Sequence, residues 1–307
     1  MLKLQNITKS YAENNVLKGI NLELTDGQVY GLVGSNGAGK TTLLNIIAGV
    51  LSKNNGTVEI DNLKVNSVND IKGKIGYVLD IPAMYEYLTA QEYLMFLLSA
   101  TDFTKEEKQN KIENLLIAVG LNEVNNKLIS NFSRGMKQRL GIASGLISNP
   151  KIILMDEPCS ALDPQGRAEV LYIIEQLKAQ GKTILLSTHI LSDVERICDK
   201  VGLLVNGVIA VEGSLNEIIE KYSKPILKID CVEVEKLKEL VENIDGCISC
   251  IVTANSLEVT ILPEKKKEIM KEILNLDIDI NGIYTKRASL EEIFLNVKQG
   301  GQCNECI

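Results

Sequence analysis

Short apolar runs alternate with longer stretches of helical periodicity through about the first 220 residues, the alternation that builds an α/β domain. Residues 28–33 (QVYGLV) form a strand candidate that runs into a glycine-rich loop and then the helical stretch KTTLLNIIAGVL. Residues 57–60 and 75–79 are further strands, and residues 91–120 read mostly as helix, broken near ATDFT. KIILMD and KTILLS, residues 151–156 and 182–187, are continuous apolar runs. Strands of that kind are buried on both faces, as in a parallel sheet. Within GLLVNGVIAVEG, Asn206-Gly207 is a hairpin signal between two apolar runs.

The pattern changes after EIIEKYSKP. PILKIDC predicts a strand and VEVEKLKELVENI a helix; CISCIVTA and SLEVTI predict strands joined across Asn255. PEKKKEIMKEIL predicts a second helix, IDINGIY a last strand and SLEEIFLNV a short terminal helix. The order β-α-β-β-α-β is the ferredoxin-like arrangement. Two domains are therefore expected, residues 1–222 and 223–307, the second an accessory α+β domain with a flexible tail from about residue 299.

Composition changes this picture little. A hydrophobic content of 45% and a charged content of 24% are ordinary for a globular protein. The net charge of -7 argues against broad nucleic-acid binding, which needs a basic surface. No apolar run reaches the roughly 18 residues that cross a bilayer, and the start, MLKLQNITKSYAENN, lacks the basic head and apolar core of a secretory signal. A cytoplasmic chain is expected, with any membrane span supplied by a partner. Among seven cysteines, Cys247/Cys250 and Cys303/Cys306 have the C-x-x-C spacing of zinc or redox sites. In a regular strand, however, residues three apart point to opposite faces. The Cys247/Cys250 pair is then badly placed to chelate, and the cysteines read as packing residues.

The chemistry is concentrated in the first domain. Residues 34–41, GSNGAGKT, fit G-x-x-x-x-G-K-[ST] between a strand and a helix. A triphosphate needs many converging N–H donors, so the backbone must approach closely, which glycine permits. The helix that follows aims its positive end at the same anion. Gly34, Ser35, Asn36, Gly37, Ala38, Gly39, Lys40, Thr41 and Thr42 are accordingly candidate triphosphate-binding residues, with Lys40 on the β- and γ-phosphates and the Thr41 hydroxyl on Mg²⁺. Such a loop alone leaves kinases, GTPases, helicases and transport ATPases open. IILMDEP ends a buried strand in two adjacent carboxylates. Asp156 is placed to hold Mg²⁺ through water, and Glu157 to orient or deprotonate an attacking water.

Between these elements lies NFSRGMKQRLGIASGL, residues 131–146. With the phosphate loop, LMDEP, SALDP and STH, it resembles the nucleotide-binding subunit of an ATP-binding-cassette transporter, every motif in the family's order over residues 2 to about 220. The fold implied is a P-loop NTPase of ABC type, with a parallel core sheet, an antiparallel β-subdomain and a helical subdomain, followed here by the small ferredoxin-like domain. The resemblance implies that two such subunits sandwich two ATP molecules head to tail. Ser133, Arg134 and Gly135 then belong to a signature loop that meets the partner's ATP, with hydrogen bonds to its γ-phosphate expected from Ser133 and Gly135. It further makes Asp163 a residue facing the opposing subunit, Tyr11 the aromatic that stacks on adenine, and His189 the γ-phosphate sensor working with Glu157. A homodimer on the inner face of the cell membrane, coupled to an integral-membrane permease near residues 77–88, is the expected assembly.

Two positions depart from the familiar pattern. Leu79-Asp80 stands where the family usually has Pro-Gln, and Asp80 is expected to remain on the metal side of the site. Arg134 and Met136 replace a glycine and a glutamine in the signature loop, and SRGMKQR resembles a subgroup of exporters with separately encoded permeases. Two alternatives stay open. A soluble ABC ATPase of translation or DNA repair would normally carry a second cassette or a long coiled coil, and this chain has one P-loop and no sustained heptads. A degenerate regulatory cassette is opposed by intact Lys40, Asp156, Glu157, Ser133 and His189.

Overall fold

The computed structural model describes residues 1–99, 101–222, 226–286 and 289–298. The Cys303/Cys306 pair and the tail from residue 299 lie outside the described residues. The chain divides into two compact units, Met1–Leu215 and Asn216–Ile307.

In the first unit, strands Val29–Val33, Ile152–Asp156 and Thr183–Thr188 are buried at every position. This is why they read as unbroken apolar runs. They lie in a six-stranded sheet in the order Val208–Ser214, Lys200–Val205, Val29–Val33, Thr183–Thr188, Ile152–Asp156, Ile75–Val78. All neighbours are parallel except the first two, which form a hairpin. Asn206 and Gly207 turn that hairpin with φ of 51° and 83°, the two positive values a tight hairpin turn requires. A second, antiparallel sheet contains Asn14–Leu24, Leu2–Tyr11, Asn55–Ile60 and Leu63–Lys64 in that order. Helix Lys40–Ile47 is packed into the core that the sheets share: Leu43, Leu44 and Ile47 belong to one buried cluster with Leu4 and Ile20 from one sheet and Leu32, Leu154 and Leu185 from the other. The helical stretch breaks where expected, into Ala90–Leu98 and Lys105–Ala118, because each has its own capping box, Thr89 with Glu92 and Thr104 with Glu107.

The second unit is an antiparallel sheet in the order Cys247–Thr253, Ser256–Ile261, Ile226–Cys231, Ile280–Lys286. Helices Val234–Val241 and Lys266–Leu274 close its core, with Leu237, Val241, Ile269 and Ile273 packed on Leu227, Ile229, Leu257, Val259 and Ile261. Helix Leu290–Lys298 follows. Element order and strand order together are ferredoxin-like.

One sequence expectation fails here. Cys247 and Cys250 do not face opposite ways. Cys247 pairs with Ile261 and Ser249 with Thr260, so Ile248 is an extra residue with no partner, and Cys250 pairs with Val259. Such a bulge resets the alternation of side chains. Ile261 and Val259 are both core residues, so both thiols fall on the core side, with their Sγ atoms 3.5 Å apart.

A close backbone approach sets the spacing between helix Arg134–Gly145 and the parallel sheet. A Cβ on Gly76 would sit 2.1 Å from the Gly145 carbonyl oxygen and 2.9 Å from Pro150 Cγ. Gly76→Ala must push that helix away from the sheet. Urea denaturation should show a loss of about 2–3 kcal/mol, the usual cost of overpacking a filled interior; an unchanged midpoint would show that the helix is free to shift.

Candidate active site

Strand Val29–Val33 delivers the chain to Gly34, and residues 34–39 wrap over the start of helix Lys40–Ile47. Gly39 precedes the helix at φ 106°, and a Cβ there would lie 2.8 Å from a Leu17 methyl, so both backbone angle and space call for glycine. The Lys40 side chain folds back under the loop and is only 6% exposed. Its Nζ donates to the carbonyls of Gly34 (2.7 Å) and Ser35 (3.3 Å) and stands 3.0 Å from Glu157 Oε1. Ala38 packs on the shared core. Asn36, Gly37, Gly39, Lys40, Thr41 and Thr42 line a cleft of ≈ 430 Å³, completed by Val16, Asp80, Glu157, Ser160 and His189.

The opposite wall comes from two neighbouring strand ends. Asp156, buried, accepts a short hydrogen bond from the Ser187 hydroxyl directly across the parallel pair. Glu157 follows at φ 46°, a left-handed conformation that is costly for a residue with a side chain. Its N–H is held by the Ser187 carbonyl (3.0 Å) and hydroxyl (3.2 Å). This turn aims the carboxylate two ways, with Oε1 at Lys40 and Oε2 at His189 Nδ1, 2.8 Å away. The His189 N–H also approaches that oxygen at 3.3 Å. A proton on Nδ1 satisfies Glu157 and leaves Nε2 as an acceptor.

Asp80 enters the same cleft from the end of strand Ile75–Val78. Burial raises its carboxyl above the usual range, and Asp156 and Glu157 push the same way against Arg134 and His189. Its Oδ1 is buried without a hydrogen-bond partner. An orphaned carboxylate oxygen beside two further carboxylates fits a hard divalent cation. No group of three or more His, Cys, Asp or Glu side chains able to hold a metal occurs among the described residues.

The remaining candidates lie elsewhere. Ser133 caps helix Arg134–Gly145, its hydroxyl accepting from the Met136 N–H at 3.2 Å; Gly135 is buried close to Gly166. Neither they nor Arg134 line the phosphate cleft. Arg134 instead lines an adjoining cleft that shares Asp80. Asp163 caps helix Pro164–Ala179, accepting from the Gly166 N–H. Tyr11 is 47% exposed at the end of its strand, with the Lys9 ammonium 5.2 Å from its ring centre. Val16, not Tyr11, lines the cleft.

Sequence reasoning missed Val16, Ser160 and Ser187. Ser187 had a signal, a polar residue closing an apolar strand next to the acidic pair's own strand. It also missed the buried Asp193, held by Arg167 through Nε and Nη2, both at 2.7 Å, with Ser192 on the same guanidinium. This fork ties the helix after Asp163 to the helix after His189. Its partners are 26 residues apart, and nothing local marks them.

A glycine-rich loop with its lysine, facing two carboxylates and an imidazole, is the arrangement of a P-loop NTPase. The ABC transporter family model matches residues 17–160. The chain is 35% identical to the uncharacterized ABC transporter ATP-binding protein YxlF of Bacillus subtilis (strain 168), over 97% of this chain and 99% of that protein. It is 30% identical to the bacitracin transport ATP-binding protein BcrA of Enterococcus faecalis, over 98% and 97% of the two chains. Among solved structures, the dimeric ATP-binding cassette MJ0796, in a post-hydrolysis state bound to ADP and Pi, is similar with a TM-score of 0.64 at 30% identity, over 70% of this chain and 99% of that one. The chain belongs to the ABC transporter ATP-binding proteins, and it is an ATP-hydrolysing subunit of such a transporter. Among the described residues, no helix is long and apolar enough to cross a membrane.

The raised Asp80 carboxyl makes a stability prediction. A folded-state pKa above the unfolded value means that the folded chain binds the proton more tightly, so stability falls as pH rises through that window. Asp80→Asn removes this loss. Its melting temperature should exceed the wild type's at neutral pH, and the difference should vanish as pH drops below the ordinary carboxylate range. A difference independent of pH would show that the carboxylate is not strained by its neighbours.

Proposed function

We propose that this ATPase subunit powers export through a separately encoded integral-membrane permease, acting as a dimer of two copies on the inner face of the cell membrane. The observation that carries the catalytic part is Glu157, whose carboxylate reaches both Lys40 and His189 within one cleft. Buried Lys40 takes up negative charge from the β- and γ-phosphates, while the N–H groups of the loop and the helix end cradle them. A triphosphate competes with Glu157 for Lys40, and the released carboxylate can accept a proton from water. His189 holds that carboxylate in place and presents its free nitrogen to the same region. Thr41, Asp156 and Asp80 would hold Mg²⁺, which neutralises charge on the phosphates when bound.

The placement of Ser133 and Gly135 outside the phosphate cleft supports the head-to-tail reading, because they are then left to meet ATP held by a second copy. That MJ0796 forms a nucleotide-bound dimer supports the same assembly. Bacitracin transport by the BcrA system supports export of a peptide antibiotic or similar compound as the work done. The net charge of -7 supports a partner other than nucleic acid.

Glu157→Gln keeps the side chain's size and removes its basicity. ATP binding should persist while hydrolysis falls by about 100-fold or more, the usual worth of a general base; equal turnover in both proteins would remove Glu157 from the mechanism. For the assembly, the tagged chain should sediment with membranes when co-expressed with its permease, sought as a neighbouring gene encoding about six apolar spans, and not without it. Sedimentation with ribosomes instead would favour the soluble ABC reading.

A further inference from the structure

The Cys247/Cys250 pair has no part in ATP chemistry, and the bulge at Ile248 gives it a geometry that the bare spacing does not. We infer that Cys247 and Cys250 form a reversible dithiol–disulfide site, closed by exchange with a low-molecular-weight disulfide.

The argument is geometric. On a regular strand the two thiols would lie on opposite faces of the sheet. The extra residue puts them side by side, 3.5 Å apart, which is van der Waals contact for sulfur. Both residues are half-buried, so a small reagent can reach them, whereas Cys159, Cys198 and Cys231 are buried. The pair lies on an edge strand of its sheet, where closing a bond distorts one strand and leaves the other two pairings intact. Among the described residues no group of three or more His, Cys, Asp or Glu able to hold a metal includes these two sulfurs.

The reaction balances with one external oxidant. The Cys247 thiolate attacks one sulfur of the small disulfide, and the first small thiolate leaves. Burial, and contact with Cys247, push the Cys250 thiol up; once Cys247 is tied up as the mixed disulfide, Cys250 is the thiol already in contact with its sulfur. Cys250 then loses its proton and attacks the Cys247 sulfur, expelling the second small thiolate. Two protein thiols are oxidised, one small disulfide is reduced to two thiols, and the two protons go to the departing thiolates.

The test uses the full chain carrying Cys303→Ser and Cys306→Ser, so that the second C-x-x-C cannot compete. The reduced protein is equilibrated in mixtures of reduced and oxidised glutathione, acid-quenched, alkylated after denaturation, and mapped by mass spectrometry. The peptide holding Cys247 and Cys250 should lose two hydrogens and carry neither alkyl group nor glutathione, and dithiothreitol should reverse the change. In the same chain, Cys250→Ser should stop at a glutathione adduct on Cys247. Repeating the equilibration in denaturing urea isolates the contribution of the fold: the disulfide should form at least about tenfold more favourably in the native chain. Stable glutathione adducts on both cysteines, full alkylation of both, or an equal equilibrium in urea would each overturn the proposal.

Discussion

Lys40 is a cation taken almost wholly out of water, and the rest of the site is arranged around that fact. An ammonium buried without partners would be too costly to keep charged. Here two loop carbonyls and the Glu157 carboxylate take it up. The compensation runs both ways. Asp80, Asp156 and Glu157 come from two strand ends, and burial together with the other two carboxylates opposes the ionisation of Asp80. Lys40 offsets part of that repulsion through Glu157, while the orphaned oxygen of Asp80 marks what remains. A site with such an uneven balance is suited to a ligand that brings negative phosphates and a divalent cation together.

Parallel strand alignment makes the convergence possible. Strands Val29–Val33, Ile152–Asp156 and Thr183–Thr188 run the same way, so Gly34, Glu157 and His189 all emerge at one edge. Ser187 joins two of these ends, binding the Asp156 side chain and the Glu157 backbone at once. Beyond them, the helix from Arg134 is seated against the sheet through Gly76 and Gly145, and its buried Gln138 reaches the Leu79 carbonyl next to Asp80. Arg167 and Asp193 link the helices that follow Asp163 and His189. The elements that would meet a second copy are thus mechanically joined to those that line the cleft.

The second unit follows a different logic. It contains no counterpart of the phosphate loop, and its core is an alternating half-buried sheet under two helices. In such a sheet each strand's register decides what faces the interior. One inserted residue, Ile248, is enough to bring two cysteines together on the core side.

Much of the protein was legible from local pattern. Unbroken apolar runs marked the buried parallel strands and Asn206-Gly207 marked its hairpin, because each signal acts within a few residues. The glycine-rich turn between strand Val29–Val33 and helix Lys40–Ile47 was equally plain, since its glycines are needed at fixed spacing. What escaped depends on contacts between distant segments. The Ser187–Asp156 bond, the Arg167–Asp193 fork and the unpartnered Asp80 oxygen each arise from neighbours brought together by the sheet. The cysteine pair shows the difference most clearly. The sequence by itself determined that two thiols sit three residues apart. Only strand pairing decided that they face the same way, because a bulge is set by the register against the neighbouring strand and not by the strand's own residues.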